Sequence, residues 1–181
     1  MKIKDLALIA LFAAIISVLA QIAIPLPFTP VPITGQVLGV FLTGALLGTR
    51  GGWAVLVYLL LGALGLPVFA QAKGGLAVLV GPTGGYLWGF ALGTFLQGFI
   101  LERWCRGKEP SPWLMGFSML ASLALIYLLG VLWLKQVVHL DLRKAFLVGA
   151  LPFLPLDLVK LFLAVALALP LRRTLKQGGF I

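Results

Sequence analysis

The sequence predicts an all-α membrane protein with six transmembrane helices and both termini in the cytoplasm, forming a single integral membrane domain over residues 1–181. Two observations lead to this fold class. Hydrophobic residues make up 61% of the chain and charged residues 10%, whereas a soluble domain has about a quarter charged residues. The apolar residues also form continuous runs without the alternation of a membrane β-barrel. So much apolar surface requires a bilayer as its solvent.

Six apolar runs approach the roughly 20 residues that a helix needs to cross the hydrocarbon core. The first follows Met1-Lys-Ile-Lys-Asp5 and leads into the next hydrophobic segment without a small-residue cleavage site, so we expect a retained helix and not a signal peptide. The second and third runs are short and rich in glycine, which predicts tilted or partly buried helices. The predicted helices span residues 6–24, 34–48, 52–67, 84–101, 113–134 and 152–171.

Basic residues in the connections predict the orientation. Six spans place both termini on one side, together with the connections 49–51 and 102–112. Nine Lys and Arg residues lie there: Lys2, Lys4, Arg50, Arg103, Arg106, Lys108, Arg172, Arg173 and Lys176. Four lie on the opposite side: Lys73, Lys135, Arg143 and Lys144. Because cytoplasmic connections carry the excess of Lys and Arg, both termini are expected in the cytoplasm.

Composition also argues against several classes of function. The net charge of +9 suggests nucleic acid, but the basic residues lie mostly in short connections, so we expect no nucleic-acid binding. A single cysteine, Cys105, and a single histidine, His139, provide neither a multi-cysteine metal site nor a visible nucleophile with its base. We therefore expect no catalytic residues, no metal and no cofactor.

The two long outer connections are too apolar to be ordinary solvated loops. Ile24–Thr34 contains four prolines, which exclude a helix and favour extended backbone. We expect a semi-rigid lid across the outer mouth of the bundle, or alternatively an extended turn at the lipid interface. Gly65–Gly85 contains six glycines and is expected to be non-helical. Because such backbone is tolerated at membrane depth only where protein or a cavity surrounds it, this segment should fold back and line a cavity.

Asp157 and Lys160 form the central feature of the sequence. They are opposite charges spaced i, i+3 near the start of the sixth apolar run, so a helix places them on one face within reach of each other. Embedded charges of this kind mark functional sites by default. We expect half of a ligand site, and the alternative is an ion pair that only locks the helix.

Other polar side chains fall in the same outer half of the predicted bundle. These are Gln36, Gln71, Lys73 and Tyr86. An apolar pocket with a few convergent polar groups is typical of a small-molecule site. Such a pocket, open to the outside, suits a ligand with an amide-like or ureido end, a carboxylate and an apolar middle.

Five motifs in order carry a family resemblance over nearly the whole chain. They are Ala10-Leu-Phe-Ala-Ala14, Ile24-Pro-Leu-Pro with Val31-Pro-Ile-Thr34, Gly65-Leu-Pro-Val-Phe69, Gly81-Pro-Thr-Gly-Gly-Tyr86 and Pro155-Leu-Asp-Leu-Val-Lys160. Together they resemble the BioY family, the biotin-binding S-components of energy-coupling factor (ECF) vitamin transporters. The resemblance implies an S-component-like bundle of six helices, multi-pass in a prokaryotic plasma membrane, that captures biotin with high affinity from outside.

The resemblance also implies roles for individual residues. Asp157 and Lys160 match the family's acidic and basic pair, and Tyr86 matches its Gly-Gly-Tyr as a residue that stacks on or hydrogen-bonds the ligand. The alternative for Tyr86 is an interfacial anchor. Gln36 and Gln71 are further candidates, or they satisfy local backbone. Phe28 and Phe69 are expected in the apolar wall, or in ordinary packing. At Lys73 the chain departs from the family, so the role of this residue is open.

Partners follow from the same resemblance. Ala10 and Ala14, spaced i, i+4, resemble the surface on which an S-component docks to its coupling protein, or else they pack within the bundle. The full transporter would add that coupling protein and two ABC-type ATPases. Because this chain has no Walker A motif, ATP hydrolysis is expected in the partners and the chain is not expected to be an enzyme. An S-component for another small vitamin or carboxylate is the main alternative.

Overall fold

The computed structural model describes residues 3–105 and 109–180. Its helices are α1 (Ile3–Gln21), α2 (Gln36–Leu47), α3 (Arg50–Ala63), α4 (Leu76–Val80), α5 (Gly84–Cys105), α6 (Pro112–Val137), α7 (Leu142–Gly149) and α8 (Leu154–Gln177). A two-stranded antiparallel hairpin is formed by β1 (Ala23–Leu26) and β2 (Thr29–Thr34), and residues Ala70–Ala72 form a 3-10 turn.

The predicted helical class is confirmed, and the six predicted spans correspond to α1, α2, α3, α5, α6 and α8. Within the described residues, α1, α6 and α8 are long and apolar enough to cross a membrane. Helix α2 has 12 residues and α3 has 14, so at about 1.5 Å per residue each is shorter than the roughly 30 Å hydrocarbon core. The six-span count, the single-domain organisation and the cytoplasmic placement of the termini stay predictions.

The outer connections contain more regular structure than the sequence predicts. The proline-rich segment is extended, as expected, but its two halves pair as a hairpin in the register Ala23 to Thr34, Ile24 to Ile33 and Leu26 to Thr29. The prediction that Gly65–Gly85 has no helix is wrong for α4, a short apolar run bounded by Gly75 and Gly81. Helix α7 was not predicted. Asp141 caps its N-terminus, with the carboxylate accepting from the Lys144 N–H at 2.8 Å.

Contacts between distant residues define two ends of the bundle. Lys4 Nζ donates to the Gly179 carbonyl at 3.3 Å, Arg50 pairs with Asp5, and Lys176 pairs with Glu109 at 2.7 Å. Both described termini and the connections before α3 and α6 therefore meet at one end, which we call the terminal end. The hairpin, the 64–83 segment and the 138–153 segment lie at the opposite end, which we call the loop end. Three of the basic residues used to predict orientation, Lys2, Arg106 and Lys108, lie outside the described residues.

Glycine allows α5 and α6 to pack closely. A Cβ atom at Gly85 would lie 2.6 Å from the Leu129 carbonyl oxygen, and one at Gly89 would lie 3.0 Å from Ile126 Cα. These backbone contacts leave no room for a side chain, as is common where membrane helices approach through small residues. Close packing fixes the position of α6 relative to α5, and the two helices both contribute residues to the cavity described next.

Candidate functional site

A cavity lies at the loop end of the bundle. Its walls come from β2, the turn after Phe69, and helices α2, α4, α5, α6 and α8. Its volume is about 90 Å³, which is room for roughly six to nine water molecules. The walls are mostly apolar, with side chains such as Val37, Leu87, Phe90, Ile126 and Phe153. An apolar lining with a few polar groups is typical of a small-molecule site.

Asp157 is the most buried charged group of this cavity. It lies in the first turn of α8, and 5% of its side chain is exposed. Lys160 Nζ donates to Asp157 Oδ1 at 2.6 Å, as the i, i+3 spacing predicts. The Tyr127 hydroxyl donates to Oδ2 at 2.6 Å. A buried carboxylate is costly unless it is paired and hydrogen-bonded, and here each oxygen has one donor.

The Asp157–Lys160 pair still has hydrogen-bond acceptors and donors available for a ligand. Each carboxylate oxygen of Asp157 has lone pairs beyond those used by Lys160 and Tyr127, and the ammonium of Lys160 has N–H donors beyond the one given to Asp157. Both side chains line the cavity. The cluster of Asp157, Lys160 and Tyr127 can therefore accept from ligand N–H groups and donate to a ligand oxygen at the same wall.

Sequence reasoning missed Tyr127. The residue stands in the long apolar run of α6 and points its hydroxyl at Asp157 from a different helix. A hydroxyl within an apolar span could have marked Tyr127 as a candidate site residue. The direction in which its side chain points, however, depends on how α6 and α8 pack. Thr83 of the segment before α5 also lines the cavity and was not predicted.

Tyr86 lies on the cavity wall, with 6% of the residue exposed. Its hydroxyl donates to the Gly149 carbonyl at 2.7 Å and so ties α5 to the end of α7. With the hydroxyl engaged by backbone, the ring is the part of this side chain that is available for stacking on a ligand.

Gln36 and Phe69 also line the cavity, and each contacts Tyr58. Gln36 Nε2 donates to the Tyr58 hydroxyl at 2.6 Å, and its Oε1 accepts from the Thr34 hydroxyl at 2.9 Å. The Phe69 ring is 1% exposed and packs edge-to-face on Tyr58, with ring centroids 5.4 Å apart. Gln36 therefore satisfies a local network while it also lines the cavity.

Gln71 and Lys73 line the exposed mouth of the cavity. Phe28 does not join them, because it lies at the turn of the hairpin with 58% of the residue exposed and is not part of the cavity lining. The structure thus brings six of the seven predicted side chains together: Asp157, Lys160, Tyr86, Gln36, Gln71 and Phe69. Residues of β2 form one wall in place of Phe28.

A second, larger cavity, with a volume of about 280 Å³, lies at the terminal end. Its charged lining residues bond mostly to one another or to backbone: Glu109 pairs with Arg172 and Lys176, and Glu102 accepts from Thr49. Its lining is less apolar than that of the loop-end cavity. Despite its smaller volume, we take the loop-end cavity as the candidate site.

The fold and the cavity together define a class: an integral membrane protein whose helices enclose a small-molecule site at one end. Helices α1, α6 and α8 are long and apolar enough to span the membrane. The cluster of Asp157, Lys160 and Tyr127 supplies the polar part of the site.

Comparison with known proteins gives the family. The model of the BioY family matches residues 1–177, and the chain belongs to this family. A biotin transporter BioY of Thermotoga maritima is 51% identical over 164 residues, which are 90% of this chain and 92% of that protein. A probable biotin transporter BioY of Pyrococcus horikoshii is 44% identical, over 93% of this chain and 96% of that protein.

A solved structure agrees with these relatives. The crystal structure of the S-component for biotin from an ECF-type ABC transporter matches with a TM-score of 0.88 and 31% identity, covering 94% of this chain and 92% of that one. The resemblance inferred from the five sequence motifs is confirmed. The chain is accordingly a membrane transport protein and not an enzyme.

Proposed function

We propose that this chain is the high-affinity biotin-binding S-component of an ECF-type vitamin importer in a prokaryotic plasma membrane, capturing biotin from the outside. The observation that carries the proposal is the loop-end cavity, in which Asp157 and Lys160 meet on one apolar wall. The relatives named as biotin transporters support the choice of ligand. Asp157, Lys160, Tyr86, Gln36, Gln71 and Phe69 are the proposed binding residues.

The charges of the cavity favour one orientation of biotin. Asp157 and Lys160 already neutralise each other, so a carboxylate placed beside them would leave two anions against one cation in a low-dielectric site. Lys73 lines the exposed mouth and makes no ion pair within the part of the chain described. We infer that the ureido ring lies at Asp157 and Tyr127, with the carboxylate near Lys73.

The outer face of α1 supports the proposed docking to a coupling protein. Ala10 and Ala14 are exposed there, whereas Ala13 is buried in the bundle. Internal packing therefore does not account for this pair, and small side chains on a lipid-facing surface allow another membrane helix to approach closely. A coupling protein at this face, with two ABC-type ATPases, would supply the energy for release of biotin to the inside.

Equilibrium binding of labelled biotin to the purified protein in detergent tests the proposal. The Lys160→Met variant leaves Asp157 without its cation, and Asp157→Asn removes the carboxylate; both should weaken binding at least about tenfold, because a charge-assisted hydrogen bond contributes about 1.5–3 kcal/mol. Excess thiamine, riboflavin or a fatty acid should not displace the label. Displacement by one of them would instead favour another vitamin or carboxylate as the ligand.

A double variant separates binding from a purely structural ion pair. Breaking a buried pair on one side costs about 3–5 kcal/mol of stability, whereas removing both charges is far milder. Asp157→Asn combined with Lys160→Met should therefore recover much of the thermal stability lost in Lys160→Met alone, while biotin binding stays weak. Recovery of binding together with stability would show that the pair only locks α8.

A further inference from the structure

Gln21, the last residue of α1, contacts the backbone of a loop that lines the cavity. Its Nε2 donates to the Ser17 carbonyl of α1 at 3.1 Å and also lies 3.4, 3.3 and 3.3 Å from the carbonyl oxygens of Pro67, Val68 and Phe69. Its Oε1 accepts from the Ala72 N–H at 3.0 Å. The side-chain amide thus offers a donor and an acceptor to one stretch of main chain, as a paired strand would. No other side chain within the described residues makes this set of contacts.

The loop that Gln21 contacts is held in a disfavoured conformation. Phe69 N–H donates to the Lys73 carbonyl at 3.0 Å, which closes residues 69–73 into a tight turn. Within that turn Gln71 and Ala72 have φ angles of 62° and 55°. Residues other than glycine disfavour this left-handed region, so contacts from outside the turn are needed to hold it.

This turn forms part of the cavity. Phe69, Gln71 and Lys73 all line it, and the buried Phe69 ring rests on Tyr58, which in turn bonds Gln36. Gln21 itself is not among the lining residues. Any effect of Gln21 on a ligand must therefore pass through the position of residues 69–73.

We propose that Gln21 is a positioning residue that holds the 69–73 turn over the cavity and thereby slows the departure of the bound ligand. This inference rests on the proposed function for the identity of the ligand, biotin. It assigns to the end of α1 a role in ligand retention that is separate from the role proposed for Ala10 and Ala14.

The test compares Gln21→Leu with a matched control, Gln136→Leu. Gln136 is an exposed glutamine near the end of α6, also at the loop end, and no hydrogen bond of its side chain is found within the described residues. Gln21→Leu should raise the dissociation rate of labelled biotin about fivefold to twentyfold, as expected for the loss of one or two hydrogen bonds. Gln136→Leu should leave the rate unchanged.

Hydrogen exchange of the 69–73 peptide, measured without biotin, gives a second readout. A general loss of stability would speed exchange in many parts of the protein, and not in this peptide alone. Gln21→Leu should speed exchange in this peptide and not in α5 or α6, and Gln136→Leu should do neither. Should Gln21→Leu prove unstable, Gln21→Glu keeps an acceptor for Ala72 but faces the three carbonyls with a carboxylate, and should loosen the same peptide.

Three results would overturn the inference: unchanged exchange in the 69–73 peptide, faster exchange with an unchanged dissociation rate, or an equal effect of Gln136→Leu on either measurement. Failure of the unaltered protein to bind biotin is distinguishable from these. That result would overturn the proposed function and the retention role with it, while the exchange measurement would still decide whether Gln21 holds the turn.

Discussion

Asp157 shows how a single charged side chain is kept in an apolar cavity. Lys160 is one helical turn away on the same face, and Tyr127 reaches across from α6, so both carboxylate oxygens have a donor at 2.6 Å. Removal of one donor leaves a buried acceptor partly unsatisfied, which costs more than the net contribution of the bond itself. Tyr127, which sequence reasoning missed, is therefore as close to Asp157 as Lys160, which it found.

The Tyr127→Phe variant isolates that contribution. It removes the hydroxyl and keeps the ring, so we expect a loss of about 1–3 kcal/mol in stability without ligand and weaker biotin binding, because Asp157 Oδ2 loses its donor. Thermal unfolding in detergent and equilibrium binding measure the two effects. Unchanged affinity would mean that the ligand does not depend on the orientation of Asp157 set by Tyr127.

At the scale of the helices, the close contact between α5 and α6 depends on glycine. A side chain at Gly85 would meet the Leu129 carbonyl at 2.6 Å, so one of the two helices would have to move. Overpacking of this kind commonly costs about 1–3 kcal/mol. Because α5 carries Tyr86 and α6 carries Tyr127, a shift between them also changes the shape of the cavity.

Gly85→Ala should lower the midpoint of thermal unfolding in detergent and weaken biotin binding for this reason. Gly116→Ala is the matched control: Gly116 lies within α6, nothing lies within 4 Å of a Cβ at that position, and alanine is the better helix former by about 1 kcal/mol. It should be neutral or stabilising. A Gly85→Ala protein as stable as this control would contradict the close contact.

The elements also show what the sequence can and cannot predict. The six apolar runs predicted six of the helices, because continuous apolar sequence in a membrane favours helix even where, as in α2 and α3, the run is short. The prolines of residues 24–34 excluded helix, but pairing into a hairpin depends on register between β1 and β2, which no local pattern fixes. Asp141 caps helix α7, and an aspartate at this position could have predicted the start of that helix.

The candidate site was predictable to the same extent. The spacing of Asp157 and Lys160 fixed their contact because it is local to one helix. Tyr127 and Phe28 depend on tertiary packing: the first turns toward Asp157 from α6, and the second is exposed at the tip of the hairpin although its neighbours in β2 line the cavity. Helix faces and loop tips are where sequence patterns give least information.

At the scale of the whole molecule, ion pairs join the ends of three segments at the terminal end. Glu109, just before α6, accepts from Lys176 at 2.7 Å and pairs with Arg172 at 3.2 Å, while Arg172 also donates to the Ala45 carbonyl of α2 at 2.7 Å. The hydrogen bond from Lys176, aided by the charge of Arg172, lowers the pKa of Glu109. The carboxylate is 42% exposed, so solvent weakens its contribution.

This arrangement predicts a small, defined pH dependence of stability. Since the folded-state pKa of Glu109 lies below its unfolded value, the contribution is present above about pH 4.3 and is lost as pH falls through the lowered pKa. Glu109→Gln should cost less than about 1 kcal/mol at pH 7 and reduce the loss of stability on acidification. Thermal unfolding at pH 7 and at several pH values below about 4.3 checks this. Identical pH profiles for the two proteins would contradict it.

The prolines of the hairpin affect how this segment can pair with other strands. Short two-stranded sheets normally leave two free edges that invite further strands from other chains. Here Pro25 interrupts β1, and Pro30 and Pro32 interrupt β2, so the amide hydrogens needed to extend the sheet are missing at several positions. Neighbouring copies in a membrane therefore find a poor template for pairing further strands with this hairpin.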